Sequence, residues 1–227
     1  MIILGLDPSQ KTGWALYDTK ANVSAIRCGV LKIDAEKKKF EQNAGKLGFA
    51  LMKLLTERRD PTTGRPILPD FAVIEKAPRR PYGGGGEDEP TKGKTTRFMG
   101  QEIPAQDGDE EEGKGPGLQG TLSTNQMTAA LCAILGAYKI PFVEVTPAEW
   151  RKPSYGFGTR KGWTRKEWKR HSREKCAQVR ITATNDDMAE ACWIAYAGPA
   201  QQAFKYLQAN LAAEQAKPFK QHGPSVG

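Results

Sequence analysis

The chain has 227 residues, with 34 Lys and Arg against 26 Asp and Glu, a formal net charge of +8 and 38% apolar residues. That length allows one large domain or two small ones with a sizeable core, and no run approaches the roughly 18 apolar residues of a membrane span. The opening MIILGLDPSQ has no basic region and meets an acid at Asp7, so it does not read as a signal peptide, and the scattered cysteines Cys28, Cys132, Cys176 and Cys192 read as reduced thiols of a cytoplasmic protein.

Ile2 to Leu6 is a short apolar run closed by Asp7-Pro8 and predicts a buried strand. Thr12–Asp18 and Ala25–Ile33 predict two further strands, joined by the polar turn Asp18 to Asn22 into a meander. From Lys38 to Arg59 the residues Phe40, Ala44, Leu47, Leu51, Leu54 and Leu55 recur at helical spacing. Asp70–Glu75 predicts a fourth strand, again ending in an acid. Residues 79–120 hold 11 of the 24 glycines and the acidic run Asp109 to Glu112, a composition that predicts a mobile insertion, with Thr95 to Met99 as a small basic and apolar island inside it.

A second helix is expected over Thr124–Tyr138, and a fifth strand over Pro141–Val145. Thr146-Pro147 predicts a short helix with proline in its first turn. A basic helix is expected over Thr164–Val179, then helices over Asp186–Ala197 and Pro199–Ala213, and a disordered tail over 217–227. Three strands, helix, strand, helix, strand and final helices predict an α/β fold, a mixed five-stranded sheet with helices on both faces.

The positive charge is concentrated. Residues 151–180 carry eleven Lys or Arg and only Glu167 and Glu174 as acids. Arg151, Lys152, Arg160, Lys161, Arg165, Lys166, Lys169, Arg170 and Arg173 are therefore candidate phosphate contacts. Trp150, Tyr155, Phe157, Trp163 and Trp168 interleave with them, either to stack on bases or to face the core.

The acids follow a different pattern. Asp7 and Glu75 each end a strand, and on neighbouring strands both would project from the same sheet end. Asp187 and Glu190 stand three apart and would share a helix face. Converging carboxylates repel, and a hard divalent cation such as Mg²⁺ resolves the repulsion. Asp186 and Asp187 could instead cap the helix, so either of them is open as the ligand.

With these residues in place, ILGLDPSQKTGWAL, VIEKAP, STNQMTAALCAILGAYKIPFVEVTPAEWRK and NDDMAEACWIAYAG together resemble the RuvC-like Holliday-junction resolvases of the RNase H-like superfamily. The resemblance covers most of residues 1–198, which it implies form one nuclease domain around the 79–120 insertion, followed by a C-terminal helix over 199–216. It implies a metal-dependent endonuclease on branched DNA, a homodimer, and two Mg²⁺ or Mn²⁺ ions. By position it assigns the metal to Asp7, Glu75, Asp187 and Glu190, with Asp186 as a substitute or supporting acid and Lys175 as the catalytic lysine. The family more often has Asp where this chain has Glu190. An aromatic residue expected after the fourth strand is replaced by Lys76-Ala77-Pro78, which leaves Phe98, beside Arg97, or Tyr82 for contact with an unstacked junction centre. Other nucleic acids (a flap, fork or RNA–DNA hybrid), a non-catalytic binder, and an actin- or sugar-kinase-like ATP-binding domain are the alternatives.

Overall fold

A computed structural model of the chain describes residues 1–36, 39–76, 94–98, 101–105 and 118–216. The body contains a five-stranded sheet of β1 (Ile2–Asp7), β2 (Lys11–Asp18), β3 (Arg27–Lys32), β4 (Phe71–Glu75) and a last strand, β7 (Phe142–Val145), in the order β3-β2-β1-β4-β7. β1, β4 and β7 run parallel, and β2 is antiparallel to both β1 and β3. A separate compact unit, residues 78–122, contains the two-stranded hairpin β5 (Lys94–Phe98) and β6 (Gln101–Ala105).

The sheet is covered on both faces, and the period-2 alternation of β1 shows how. Leu4 and Leu6 are buried with Ala72 and Ile74 of β4 against Leu47, Leu51 and Leu55 of α1 (Phe40–Glu57) and Met127, Leu131 and Leu135 of α2 (Leu118–Ala137). Ile3 of β1 and Phe71 and Val73 of β4 lie on the opposite face, against Ala191, Cys192 and Ala195 of α5 (Asp186–Tyr196). Each fully buried Leu, Ile or Phe contributes about 1.5–3 kcal/mol by leaving water, so the two layers fix the strand register. A one-residue slip of β1 would carry Asp7 to the α1 and α2 face.

Two helices precede α5: α3 (Pro147–Tyr155) and α4 (Arg165–Gln178). Both open with full capping boxes, Thr146 with Glu149 and Thr164 with Glu167. The last helix, α6 (Gln202–Gln215), buries Phe204 edge-to-face against Phe71, with ring centroids 5.5 Å apart. No helix among the described residues is long and apolar enough to cross a membrane.

Several boundaries differ from the sequence reading. β3 starts at Arg27 because residues 23–25 form a 3₁₀ turn whose cap, Asn22 Oδ1, accepts from Ser24 N at 3.0 Å. α2 starts at Leu118, six residues ahead of Thr124, and the glycines before it masked that start; the single Gly120 costs a helix only about 1 kcal/mol. The stretch read as a mobile insertion contains the β5–β6 hairpin, in which Thr95 and Thr96 supply β-branched residues and two residues separate Phe98 from Gln101. Tyr82 and the tail 217–227 lie outside the described residues, as do the side chains of Arg97 and Phe98.

Candidate metal centre

The site begins with strand ends. The β1–β4 ladder pairs Leu6 with Ile74, so Asp7 and Glu75 follow side by side on the α5 face. The β1–β2 ladder pairs Asp7 with Gly13. A Cβ on Gly13 would stand 1.9 Å from the carbonyl oxygen of Asp187, and one on Gly5 would stand 2.4 Å from the Ala191 oxygen and the Ala195 nitrogen. The two glycines therefore let the start of α5 lie directly on the sheet.

The cap of α5 is Asn185, whose Oδ1 accepts from Met188 N at 2.9 Å. Asp186 and Asp187 thus occupy the first turn, where the helix N-terminus favours negative charge. Asp187 and Glu190 share the face over β1. Carboxylate oxygens of Asp7, Asp187 and Glu190 come within 4.8 Å of one another. Asp186 is outside the trio: it pairs with Arg173 at 2.8 Å and shares Lys169 at 3.9 Å. Of the two adjacent acids left open by the sequence, Asp187 is the one in the cluster.

The carboxylates disfavour one another's charge. Burial, then the neighbouring charges of Glu75, Glu190 and Asp187, hold the Asp7 carboxyl well above the usual carboxylate range. Burial and then Glu75 push Glu190 up to about 7. Lys169 of α4 supplies the countercharge, with Nζ 3.3 Å from Asp187, 3.9 Å from Asp186 and 4.0 Å from Glu190. Arg151 and Arg165 also lower the cost of charge on Glu75 and Glu190.

Glu75 stands beside the trio, and its charge raises the carboxyls of Asp7 and Glu190. Its Oε2 accepts a 2.6 Å hydrogen bond from Trp150 Nε1 of α3. Burial raises its pKa, and the indole N–H opposes that rise.

The donor set fits a hard divalent cation. It consists of carboxylate oxygens, converging from a strand end and a helix start, a set that suits Mg²⁺ or Mn²⁺.

The lysine expected from the resemblance, Lys175, is not the one whose ion pairs reach the acids; Lys169 is. Lys175 stands six residues later, about 240° further round the helix at 3.6 residues per turn, where it acts on His171. Lys152, Arg160, Lys161, Arg165, Lys166, Arg170 and Arg173 are exposed around α3 and α4, with Arg170 paired to Glu174 at 3.7 Å.

Two of the interleaved aromatics belong to the core. Trp150 is fully buried and Trp168 is 7% exposed. Tyr155, Phe157, Trp163 and His171 close on them in a continuous ring cluster, for example Trp163 to Trp168 at 4.7 Å. Arg151 stacks over Trp168 at 4.2 Å and Trp150 at 5.1 Å. The rings underlie the basic surface and hold Arg151 and Arg160 over their faces; Trp150 and Trp168 are buried in the core, whereas Tyr155, Phe157 and Trp163 are half-buried. The roles of Trp150 and Gly13 were missed from sequence. The signal for Trp150 was its place directly after the Thr146–Glu149 capping box that follows β7.

No family model and no curated protein matches the chain. Solved structures do. One is the Thermus thermophilus RuvC structure, 11% identical over 93% of this chain and 97% of that chain, with a TM-score of 0.49. Another is T. thermophilus RuvC in complex with Holliday junction substrate, 13% identical over 92% of this chain and 96% of that chain, with a TM-score of 0.52. At that identity the second likeness is one of fold: the chain has a RuvC-like, RNase H-like α/β fold along nearly its whole length.

Proposed function

We propose that this protein is a divalent-metal-dependent endonuclease that cleaves phosphodiester bonds in branched DNA, with the four-way Holliday junction as its substrate. The observation that carries the reading is the convergence of Asp7, Asp187 and Glu190 within 4.8 Å at the end of β1. Glu75 is the fourth acid of the centre. The RuvC complex with a Holliday junction supports the choice of substrate, because the same fold there holds that junction.

The acids would hold Mg²⁺ or Mn²⁺, in two positions when substrate phosphate is present. When bound, the metal polarises the phosphodiester and lowers the pKa of the attacking water. The remaining work falls to the chain's own residues. Lys169 balances the negative charge of the carboxylates and of an approaching phosphate. Arg151, whose guanidinium lies over the rings of Trp150 and Trp168, adds positive charge near Glu75 and Glu190. The exposed cations of α3 and α4 engage flanking phosphates and set the position of the backbone without reading sequence. Cleaving two strands of one junction needs two such centres, so the active form is a homodimer.

Cleavage of end-labelled four-way, flap, duplex and hybrid substrates with Mg²⁺ tests the reading. Junction cleavage that is lost with EDTA and in Asp7→Asn is the expected result. Equal cleavage by wild type and Asp7→Asn overturns it.

A further inference from the structure

The shortest side-chain hydrogen bond at the centre joins an acid to an indole. Trp150 Nε1 lies 2.6 Å from Glu75 Oε2, and Trp150 is wholly buried. A buried indole N–H needs an acceptor, and a backbone carbonyl satisfies that need. Trp193 shows this in the same core, donating to the Ser172 carbonyl at 3.0 Å. Trp150 instead donates to a carboxylate, at the distance of a charge-assisted bond.

The backbone around this contact is fixed. Glu75 pairs with Val145 in the β4–β7 ladder, and Lys76 N donates to the Val145 carbonyl at 2.7 Å. The capping box at Thr146 then starts α3, with Trp150 at the end of its first turn. The indole therefore approaches Glu75 from a strand-to-helix junction anchored to Glu75's own strand. Its ring face carries Arg151, whose guanidinium is 5.1 Å from the ring centroid.

We infer that Trp150 is a positioning residue for Glu75: its N–H binds Oε2 and restrains rotation of the carboxylate, which favours Oε1 as the oxygen offered to a cation. The inference rests on the proposed metal centre and adds a supporting partner to it. Hydrogen-bond partners behind a metal-binding carboxylate typically change metal affinity or activity by about 10–100-fold.

Trp150→Phe keeps an aromatic ring in the core and deletes the N–H. Isothermal titration with Mg²⁺, without DNA, is expected to show affinity at least tenfold weaker in folded W150F, by the typical range for such partners. The second readout is the set of ¹⁵N indole resonances, one for each of the five tryptophans. The peak absent from W150F is expected to move in Glu75→Gln and on addition of Mg²⁺, while the Trp193 peak stays in place. Wild-type Mg²⁺ affinity in W150F overturns the inference. So does a Trp150 resonance indifferent to E75Q; assigned in the wild-type protein from its NOEs to neighbouring core protons, that peak decides the question even where W150F fails to fold. Asp7→Asn separates the two claims. Lost Mg²⁺ binding in D7N beside wild-type binding in W150F removes only the role of Trp150, whereas wild-type binding in D7N removes the centre itself.

Discussion

Gly13→Ala is the sharpest test of how the fold builds the centre. The added methyl would lie 1.9 Å from the Asp187 carbonyl oxygen, 2.4 Å from its carbon and 3.2 Å from Met188 N. All three are backbone atoms, so no side-chain rotation relieves the clash. An ordinary carbon–oxygen approach is about 3.3–3.6 Å, so the start of α5 must retreat from β2 by roughly 1.5 Å. Overpacking of this kind costs about 1–3 kcal/mol, and 1 Å of misplacement near reacting groups can cost about 100-fold in rate. The variant should melt several degrees lower, bind Mg²⁺ more weakly and cleave at least about 100-fold more slowly. Gly45→Ala is the control. It lies on α1 with nothing within 4 Å of the added methyl, and should stabilise by about 0.5–1 kcal/mol with cleavage unchanged. Thermal melts, Mg²⁺ titration and single-turnover cleavage read all three effects. A Gly13→Ala protein with wild-type melting and cleavage would refute the claim that close approach of α5 assembles the site.

Lys169→Ala should change both Mg²⁺ affinity and cleavage rate, whereas Lys175→Ala should leave both near wild type; equal effects in the two titrations would return the role to Lys175. Glu190, pushed up to about 7 from 4.5, binds more protons in the folded than in the unfolded chain between those values. Metal-free protein should therefore be most stable below about pH 4.5 as far as this group is concerned, and should lose that contribution as pH rises through about 7; melting temperatures should show the fall, and Glu190→Gln should flatten it. Replacing Lys152, Lys161 and Lys166 by Ala should lower the log–log salt slope of DNA binding by about 0.9 for each phosphate no longer neutralised, measured by fluorescence anisotropy at several salt concentrations.

The sheet and two of its acids were legible because alternation is a local property. Ile3, Gly5 and Asp7 share one face whatever helix covers it, and Phe71, Val73 and Glu75 repeat the pattern on β4. The i, i+3 spacing of Asp187 and Glu190 likewise needs nothing beyond helical geometry. What was not legible depends on how elements sit against each other. The phase of α4 against α5 decides that Lys169 faces the acids and Lys175 does not, and the basic composition of the helix is the same either way. Tryptophans in a basic segment suit base stacking and core packing equally until their burial is seen. Capping by Asn185 leaves both aspartates inside the first turn, and it is the packing of α5 on β1 and β2 that puts Asp187 in the cluster and Asp186 beside Arg173. Thr95, Thr96 and Phe98 form half of a hairpin, a signal outweighed by the glycines and acids around them.

If the carboxylate centre is what cuts branched DNA, cutting depends on a divalent metal and on Asp7. Single-turnover cleavage of a labelled four-way junction, with Mg²⁺ and with EDTA, for wild type and Asp7→Asn at matched DNA occupancy, tests it most directly. Wild type should nick the junction only with Mg²⁺, and Asp7→Asn should lose at least about 100-fold with junction binding retained or tightened. Junction binding without cleavage by wild type in either Mg²⁺ or Mn²⁺, or cleavage undiminished in Asp7→Asn, would contradict it.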